Sequence, residues 1–332
     1  MKKLLLALLL VGLSGVPAFA QQYFQNTMFN YTQFGYNPAA VNAKRVGVVE
    51  SPSLTMLGRL QWLGFDGAPQ TSYLAYETDL PSEAGYAGGL LLVDALGSIS
   101  TVTLSASYAY EFELGTSNSF LRIGASGGMK QWRLDPTGFV AIDDNDVIIP
   151  DGVTSVIVPA LSTGIYLTGK YIGKGDELRY YVGLSAQNLL EPSYDNALAA
   201  TRNGTEDVRT FVLSGGYNFI INERLTVMPS VMVMNDFALS APQVSTNVML
   251  NYNPISVGLT YRAVGNESIG AMAGFYINDN IFMGYSYDYP TTNLNASNDV
   301  NSHELVLIYR FGQAKSGPSS KFEDTFKDAD NN

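Results

Sequence analysis

The chain has 332 residues, of which 46% are hydrophobic and only 15% are charged, with a net charge of −11 and no cysteine. This acidic balance argues against nucleic-acid binding, which needs a basic surface, and the lack of cysteine excludes disulfides, thiol nucleophiles and thiolate metal sites. The 21 tyrosines and 32 glycines suit a membrane β-barrel, in which aromatic residues line the interfaces and glycines relieve crowding.

Residues 1–20 predict an export signal peptide. A lysine pair is followed by an apolar core over 4–11 and an A-x-A cleavage site over 18–20, which is the pattern of secretory signals. A membrane anchor is the alternative, but the apolar run is much shorter than the ~20 residues that a spanning helix needs. We therefore expect the mature chain to begin at Gln21.

Residues 21–43 precede the first predicted strand. They are polar and aromatic, and 37–40 read Asn-Pro-Ala-Ala, which predicts a turn. We expect this N-terminal segment either to plug the lumen of a barrel or to rest at its periplasmic mouth.

Residues 44–312 contain alternating runs that predict about fourteen strands. In the last run, Leu305 and Tyr309 fall on one face, while Glu304 and Arg310 fall on the other. Strict period-2 alternation ending in an aromatic residue is typical of the closing strand of an outer-membrane barrel. The predicted strands are 54–63, 70–80, 86–94, 101–113, 119–131, 156–168, 178–188, 208–219, 224–234, 244–252, 255–263, 267–277, 280–289 and 303–311.

The two faces of these strands predict where lipid and lumen lie. We expect the apolar faces to meet lipid and the small or polar faces to meet the lumen. Inward charges could pair across the lumen and fill it, or they could line a selective pore. The candidate inward charges are Glu77, Asp79, Glu111, Arg122, Lys130 and Asp288.

The connections alternate in length. The longest, 132–155, 189–207 and 290–302, are separated by short turns rich in glycine, proline, asparagine and aspartate. An even barrel with both termini in the periplasm has long outer loops and short inner turns. We therefore predict an all-β fold, a transmembrane antiparallel outer-membrane β-barrel of about 14 strands.

Chemistry-bearing residues are sparse. His303 is the only histidine, so we predict no catalytic residue, no cofactor and no metal site. The acidic loop 143–152 resembles a calcium loop in composition but lacks its spacing and its terminal glutamate. The glycine-rich run 124–128 lies within a predicted strand, and we expect it to relieve crowding on the lumen side.

One connection is unusually dense in aromatic, glycine, carboxylate and proline residues. We predict that it is either a structural motif or a partner contact, and we call it the motif loop. Its candidate residues are Trp62, Gly64, Phe65, Asp66, Gly67, Ala68 and Pro69.

With Gln61, this loop resembles the QWxGFxGAP motif of the PorP/SprF family of type IX secretion and gliding proteins. Further resemblances lie at 37–39, at 108–110, at 181–185 with 188–190, and at 283–289 with 302–304. The resemblance implies an integral outer-membrane barrel that is not an enzyme. It also implies three partners: outer-membrane lipid, an exported cargo protein such as a large adhesin, and periplasmic secretion-ring proteins.

We therefore expect a barrel that assists export or surface attachment of a cargo protein through protein contacts. A porin-like passive or selective transporter of small molecules is the alternative. Residues 313–332 predict a flexible acidic periplasmic tail or a docking segment for a periplasmic partner.

Overall fold

The computed structural model forms a closed antiparallel barrel. Its strands make one sheet whose two ends join where β10 (Leu225–Asn235) pairs with β11 (Gln243–Tyr252). Strands β8 (Thr210–Tyr217) and β9 (Phe219–Ile220) both pair with β10 and are two parts of one barrel strand, so the barrel has 14 strands. The predicted fold class is confirmed. The structure describes residues 26–42, 52–81, 85–115, 118–138, 152–171, 178–194, 207–222, 224–237, 241–263, 267–291 and 300–311.

The strand bounds agree with the predicted runs to within a few residues. The strands are β1 Ser53–Leu63, β2 Gln70–Asp79, β3 Tyr86–Leu96, β4 Ile99–Glu113, β5 Ser119–Leu134, β6 Thr154–Lys170, β7 Leu178–Gln187, β8 Thr210–Tyr217, β9 Phe219–Ile220, β10 Leu225–Asn235, β11 Gln243–Tyr252, β12 Ile255–Ala263, β13 Ser268–Asn278, β14 Ile281–Pro290 and β15 Asn301–Arg310. The predicted signal peptide, the tail 313–332 and residues 143–151 of the acidic loop lie outside the described residues.

The chain enters and leaves the barrel at the same end. Ser53 at the start of β1 pairs with Arg310 at the end of β15. We call this the termini end and the opposite one the loop end. The strand ends that flank the long predicted connections all lie at the loop end. Gly97 and Ser98 alone join β3 to β4 at the same end.

The two faces of the wall differ as the alternation predicts. Along β15, Glu304, Val306 and Ile308 are buried inside, while Leu305 is 51% exposed outside. An apolar exterior is what contact with lipid requires. The interior is not uniformly small or polar as expected, because Val306 and Ile308 pack there in an apolar cluster with Met28. No helix among the described residues is long and apolar enough to cross a membrane.

At the loop end, the hairpin of β5 and β6 extends beyond its neighbour β7. These strands have 16 and 17 residues, against 10 in β7. The sequence placed their loop-end limits at 131 and 156, but β5 continues to Leu134 and β6 begins at Thr154. The β6–β7 ladder begins only at Thr163, and Leu161 accepts one backbone hydrogen bond from Leu189. Among the described residues, 154–160 therefore have a strand neighbour on one side only. We call this free side the projecting edge.

Candidate functional site: the occupied lumen and the loop end

Residues 26–42 occupy the lumen, and we call them the plug. They contain two 3-10 turns and a one-turn helix, α1 (Gln33–Tyr36). All are buried except Gly35, which is half-buried. Around the wall they contact residues of β1, β2, β5, β6, β7, β10, β11, β12, β14 and β15. The described residues of the N-terminal segment therefore lie in the lumen, in contact with strands around the wall.

The plug runs along the barrel axis. Thr27 bonds to Glu304, which is near the loop-end start of β15. At the other limit, the backbone N–H of Asn42 donates to Glu77, near the termini end of β2. The plug thus spans much of the lumen between the two ends.

The loop-end part of the plug is held by an ion cluster, which we call the ionic anchor. Arg59 donates to Asp288 Oδ2 at 2.7 Å, to Glu304 Oε2 at 3.1 Å and to Thr27 Oγ1 at 2.9 Å. Glu304 also accepts the backbone N–H groups of Thr27 and Met28 at 3.0 and 2.9 Å. Because breaking a buried ion pair leaves a costly unpaired charge, this cluster ties three strands to the plug.

A second arginine balances the ionic anchor. Arg262 Nη2 lies 3.5 Å from Asp288 Oδ2, and its side chain is 2% exposed. The anchor therefore contains two cations and two carboxylates. Buried charges are tolerated when each is paired with an opposite charge, and Arg262 joins the anchor through this ion pair with Asp288.

The middle of the plug rests directly on glycines of the wall, which we call the glycine cradle. A Cβ at Gly124 would lie 2.6 Å from the backbone of Ala39, and a Cβ at Gly183 would lie 3.0 Å from the Asn37 amide. A Cβ at Gly164 would overlap the same Asn37 side chain. The expected lumen-side role of the glycine-rich run is confirmed at Gly124.

Asn37 joins the plug to the wall backbone. Its Nδ2 donates to the carbonyl of Ile165 at 2.9 Å, and its Oδ1 accepts the N–H of Ala39 at 2.9 Å. The same side chain therefore closes the 3-10 turn that follows it and fixes that turn against β6. The turn predicted over 37–40 is thus built into the lumen.

Most candidate inward charges are paired. Arg122 bonds to Glu111 and donates to the carbonyl of Val41 at 2.9 Å, which adds another plug contact. Lys130 pairs with Asp207 at 2.6 Å. Of the six candidates, Asp79 is exposed at the end of its strand.

Two central charges, Arg59 and Arg262, were not among the sequence candidates. They lie on inward positions of β1 and β12, so the alternation pattern carried the signal that could have found them. Nothing in the pattern specified that they meet Asp288, because that contact requires the register across the closed barrel.

The motif loop connects β1 to β2 at the loop end. Gly64 and Gly67 adopt φ values of +110° and +72°, and Trp62 adopts +56°. The carbonyl of Gly67 accepts the N–H of Gly97 at 2.8 Å, and a Cβ at Gly67 would lie 2.8 Å from Gly97 Cα. Gly67 is therefore required by both its backbone conformation and its close contact with the β3–β4 turn.

The remaining motif-loop residues differ in exposure. Phe65 is 41% exposed and Asp66 is also exposed, whereas Ala68 is half-buried and Pro69 is buried. The N–H of Trp62 donates to Ser302 Oγ at 3.2 Å. The loop is thus fixed at its base and open at its tip, which is the part available for contact.

His303 lies on the outer wall. Its Nδ1 is 2.6 Å from the Tyr285 hydroxyl, and the Tyr287 ring meets it edge-on at 5.3 Å. These contacts belong to an aromatic interface group rather than to a nucleophile and base. Among the described residues there is no cluster of three histidine, cysteine or acidic side chains that could hold a metal.

Inward residues of the β5–β6 hairpin form an apolar cluster at the loop end. Trp132 stacks on Tyr194 at 5.5 Å between ring centroids, and Leu134 and Val158 pack with them. Burial, and then the carboxylate of Asp207, raise the pKa of the Tyr194 phenol. The phenol is therefore uncharged, and the cluster holds the inner face of the hairpin in place.

A family model for type IX secretion system membrane proteins of the PorP/SprF type matches residues 18–309. The chain belongs to the PorP/SprF family. This PorP/SprF protein is accordingly an outer-membrane β-barrel of the type IX secretion system. The predicted resemblance and location are confirmed.

No curated protein matches this PorP/SprF chain. Similar solved structures include the toluene transporter TbuX of Ralstonia pickettii, at 11% identity over 84% of this chain and 93% of that chain, with a TM-score of 0.48. Omp33 of Acinetobacter baumannii is similar at 10% identity over 78% and 98%, with a TM-score of 0.43.

Proposed function

We propose that this barrel serves type IX secretion by holding an exported protein, which we expect to be a large adhesin, at the outer surface. It works through protein contacts and not through turnover or passage of solutes. The loop end meets the cargo, and the termini end faces the periplasmic secretion ring.

The occupied lumen is the observation that carries this proposal. The plug touches wall residues around the barrel, and Arg59, Asp288 and Glu304 are engaged with it or with one another. A selective pore needs charges that are free to meet a solute in water. Because these charges are bonded within the lumen, the surfaces outside the lumen are the ones available for contact with partner proteins.

Family membership supports the same proposal at a coarser level, because the family is named for the secretion system. Contact with the cargo through the tip of the motif loop remains our proposal. So does contact with periplasmic ring proteins through the termini end.

The proposal is tested by purifying tagged protein from gently solubilised outer membranes and identifying what accompanies it by mass spectrometry. We expect one large exported protein together with secretion-ring components. Recovery of the barrel alone would contradict the secretion role.

Planar-bilayer recording separates the porin-like alternative. The intact protein should show no stable open channel, whereas deletion of residues 26–42 should produce one if the barrel still closes. A stable conductance from the intact protein would favour the transporter.

A further inference from the structure

The projecting edge is an unpaired strand edge at the loop end. Residues 154–160 of β6 pair with β5 throughout and have no ladder on their other side among the described residues. At roughly 3.3 Å per residue, this edge is about 23 Å long. Open edges are templates for strand addition, and barrels otherwise abolish them.

The backbone groups that face this edge can be assigned. The carbonyl of Leu161 accepts the N–H of Leu189 at 2.9 Å, so Leu161 directs its backbone groups away from β5. Because this direction alternates along a strand, Ser155, Ile157 and Pro159 face the same free side. Among the described residues, none bonds to the backbone of Ser155 or Ile157 on that side.

Pro159 supports this assignment. It sits opposite Met129 in the β5–β6 ladder, and proline is tolerated in a sheet where its missing N–H faces an open edge. It also limits the edge, because it offers only a carbonyl. The N–H and C=O groups of Ser155 and Ile157 therefore form the main recognition unit.

The inner face of the hairpin is packed and buried, whereas its outer face is apolar and exposed. Trp132, Val158 and Tyr194 are at most 6% exposed on the inside. On the outside, Ile157 is 64% exposed and Val153 is 52% exposed. An extended peptide with alternating apolar residues would satisfy both the backbone groups and these side chains.

We propose that an extended segment of the exported partner adds to the projecting edge as a further β-strand. This inference rests on the proposed secretion function and names its contact. The edge lies at the loop end, where the cargo is expected, and backbone pairing would tolerate varied cargo sequences. The bond between Leu161 and Leu189 marks where the added strand would end.

Two variants at Ile157 separate backbone recognition from apolar contact. Ile157→Pro removes the N–H on the free side without removing a bond to β5. Ile157→Ala keeps the N–H and removes most of the apolar side chain. Since one hydrogen bond contributes about 1 kcal/mol, the proline variant should lose binding by about fivefold or more, and the alanine variant by less.

Binding is read by placing a benzophenone amino acid at Ser155 in the full-length protein in its own membrane. The same group at Ile165, on the paired part of β6, is the control. We expect the Ser155 position to crosslink an extended segment of an exported protein, the control to crosslink none of it, and Ile157→Pro to diminish the product. Crosslinks to a second copy of the chain, or only to lipid, would overturn the inference.

Hydrogen exchange on the wild-type protein gives an answer even if the proline variant folds poorly. The amides of Ser155 and Ile157 should exchange slowly in the partner-bound protein and rapidly after the partner is stripped. Unchanged exchange with the cargo still co-purifying would refute edge addition and leave the secretion proposal standing. Absence of any cargo from the wild-type protein would instead refute the secretion proposal.

Discussion

The ionic anchor and the glycine cradle hold the same plug by opposite means. At the anchor, Glu304 accepts two backbone N–H groups of the plug and pairs with Arg59. At the cradle, Gly124 and Gly164 hold it by lacking side chains, so that Asn37 and Ala39 can approach the wall. The comparison shows that charge fixes one part of the plug and shape fixes another, and each can be broken separately.

The largest effect is expected from removing the central carboxylate of the ionic anchor. Glu304→Ala leaves Arg59 short of a partner and two buried N–H groups without an acceptor, which should cost about 3–5 kcal/mol of folding stability. Urea unfolding in detergent micelles measures this loss. The control is Leu305→Ala, since that neighbour faces outward and is 51% exposed. Equal losses of folding stability in the two variants would show that the ionic anchor contributes no more than an exposed side chain.

The cradle should respond to a single methyl group. In Gly124→Ala the new Cβ meets the backbone of Ala39, so overpacking should cost about 1–3 kcal/mol. Gly127→Ala in the same strand is the matched control, because nothing lies within 4 Å of its Cβ. Unfolding midpoints that fall together for the two variants would contradict the cradle.

A smaller effect is expected at Asn37, which hydrogen-bonds to the wall and also lies against Gly164 of the glycine cradle. Asn37→Ala removes the bond to Ile165 and the closure of the following turn, which should cost about 1 kcal/mol for each net bond. Asn37→Ser keeps a neutral, weaker acceptor for the turn and removes the donor to the wall, so its loss should be smaller than that of the alanine variant in the same unfolding assay. A serine variant as unstable as the alanine variant would show that the wall bond dominates.

The smallest effect is expected outside the lumen. The exposed pair of Arg209 and Glu191, at 3.1 Å, should contribute less than about 1 kcal/mol. Glu191→Gln should therefore leave the unfolding midpoint almost unchanged. A loss as large as that of Glu304→Ala would remove the distinction between buried and exposed ion pairs.

The wall was predictable from the sequence because period-2 alternation is a local property. Leu305 and Glu304 fall on opposite faces whatever the rest of the chain does. The contacts of Arg59 were not predictable, since its partner Glu304 is 245 positions away and meets it only when β1 and β15 close the barrel. The glycine at 124 gave a correct but general signal, because the sequence did not show which segment would approach it.

The plug and the projecting edge were harder for another reason. Residues 21–43 have no strand period, so the sequence left a plug and a mouth segment equally open. The edge depends on a difference in length between β6 and β7, and the loop-end limits of β5 and β6 were set too short. Strand ends are decided by pairing with neighbours rather than by the pattern within one strand.

The most direct test of the central claim is a paired-cysteine crosslink between plug and wall, since the chain has no other cysteine. Asn30 Nδ2 lies 3.0 Å from Ser230 Oγ, so Asn30→Cys with Ser230→Cys should form a disulfide in the membrane and shift the mobility of the unfolded protein. Asn30→Cys with Val231→Cys should not, because Val231 faces outward and is 39% exposed. A disulfide in the first pair alone would establish that the plug occupies the lumen, whereas equal or absent crosslinking in both pairs would contradict it.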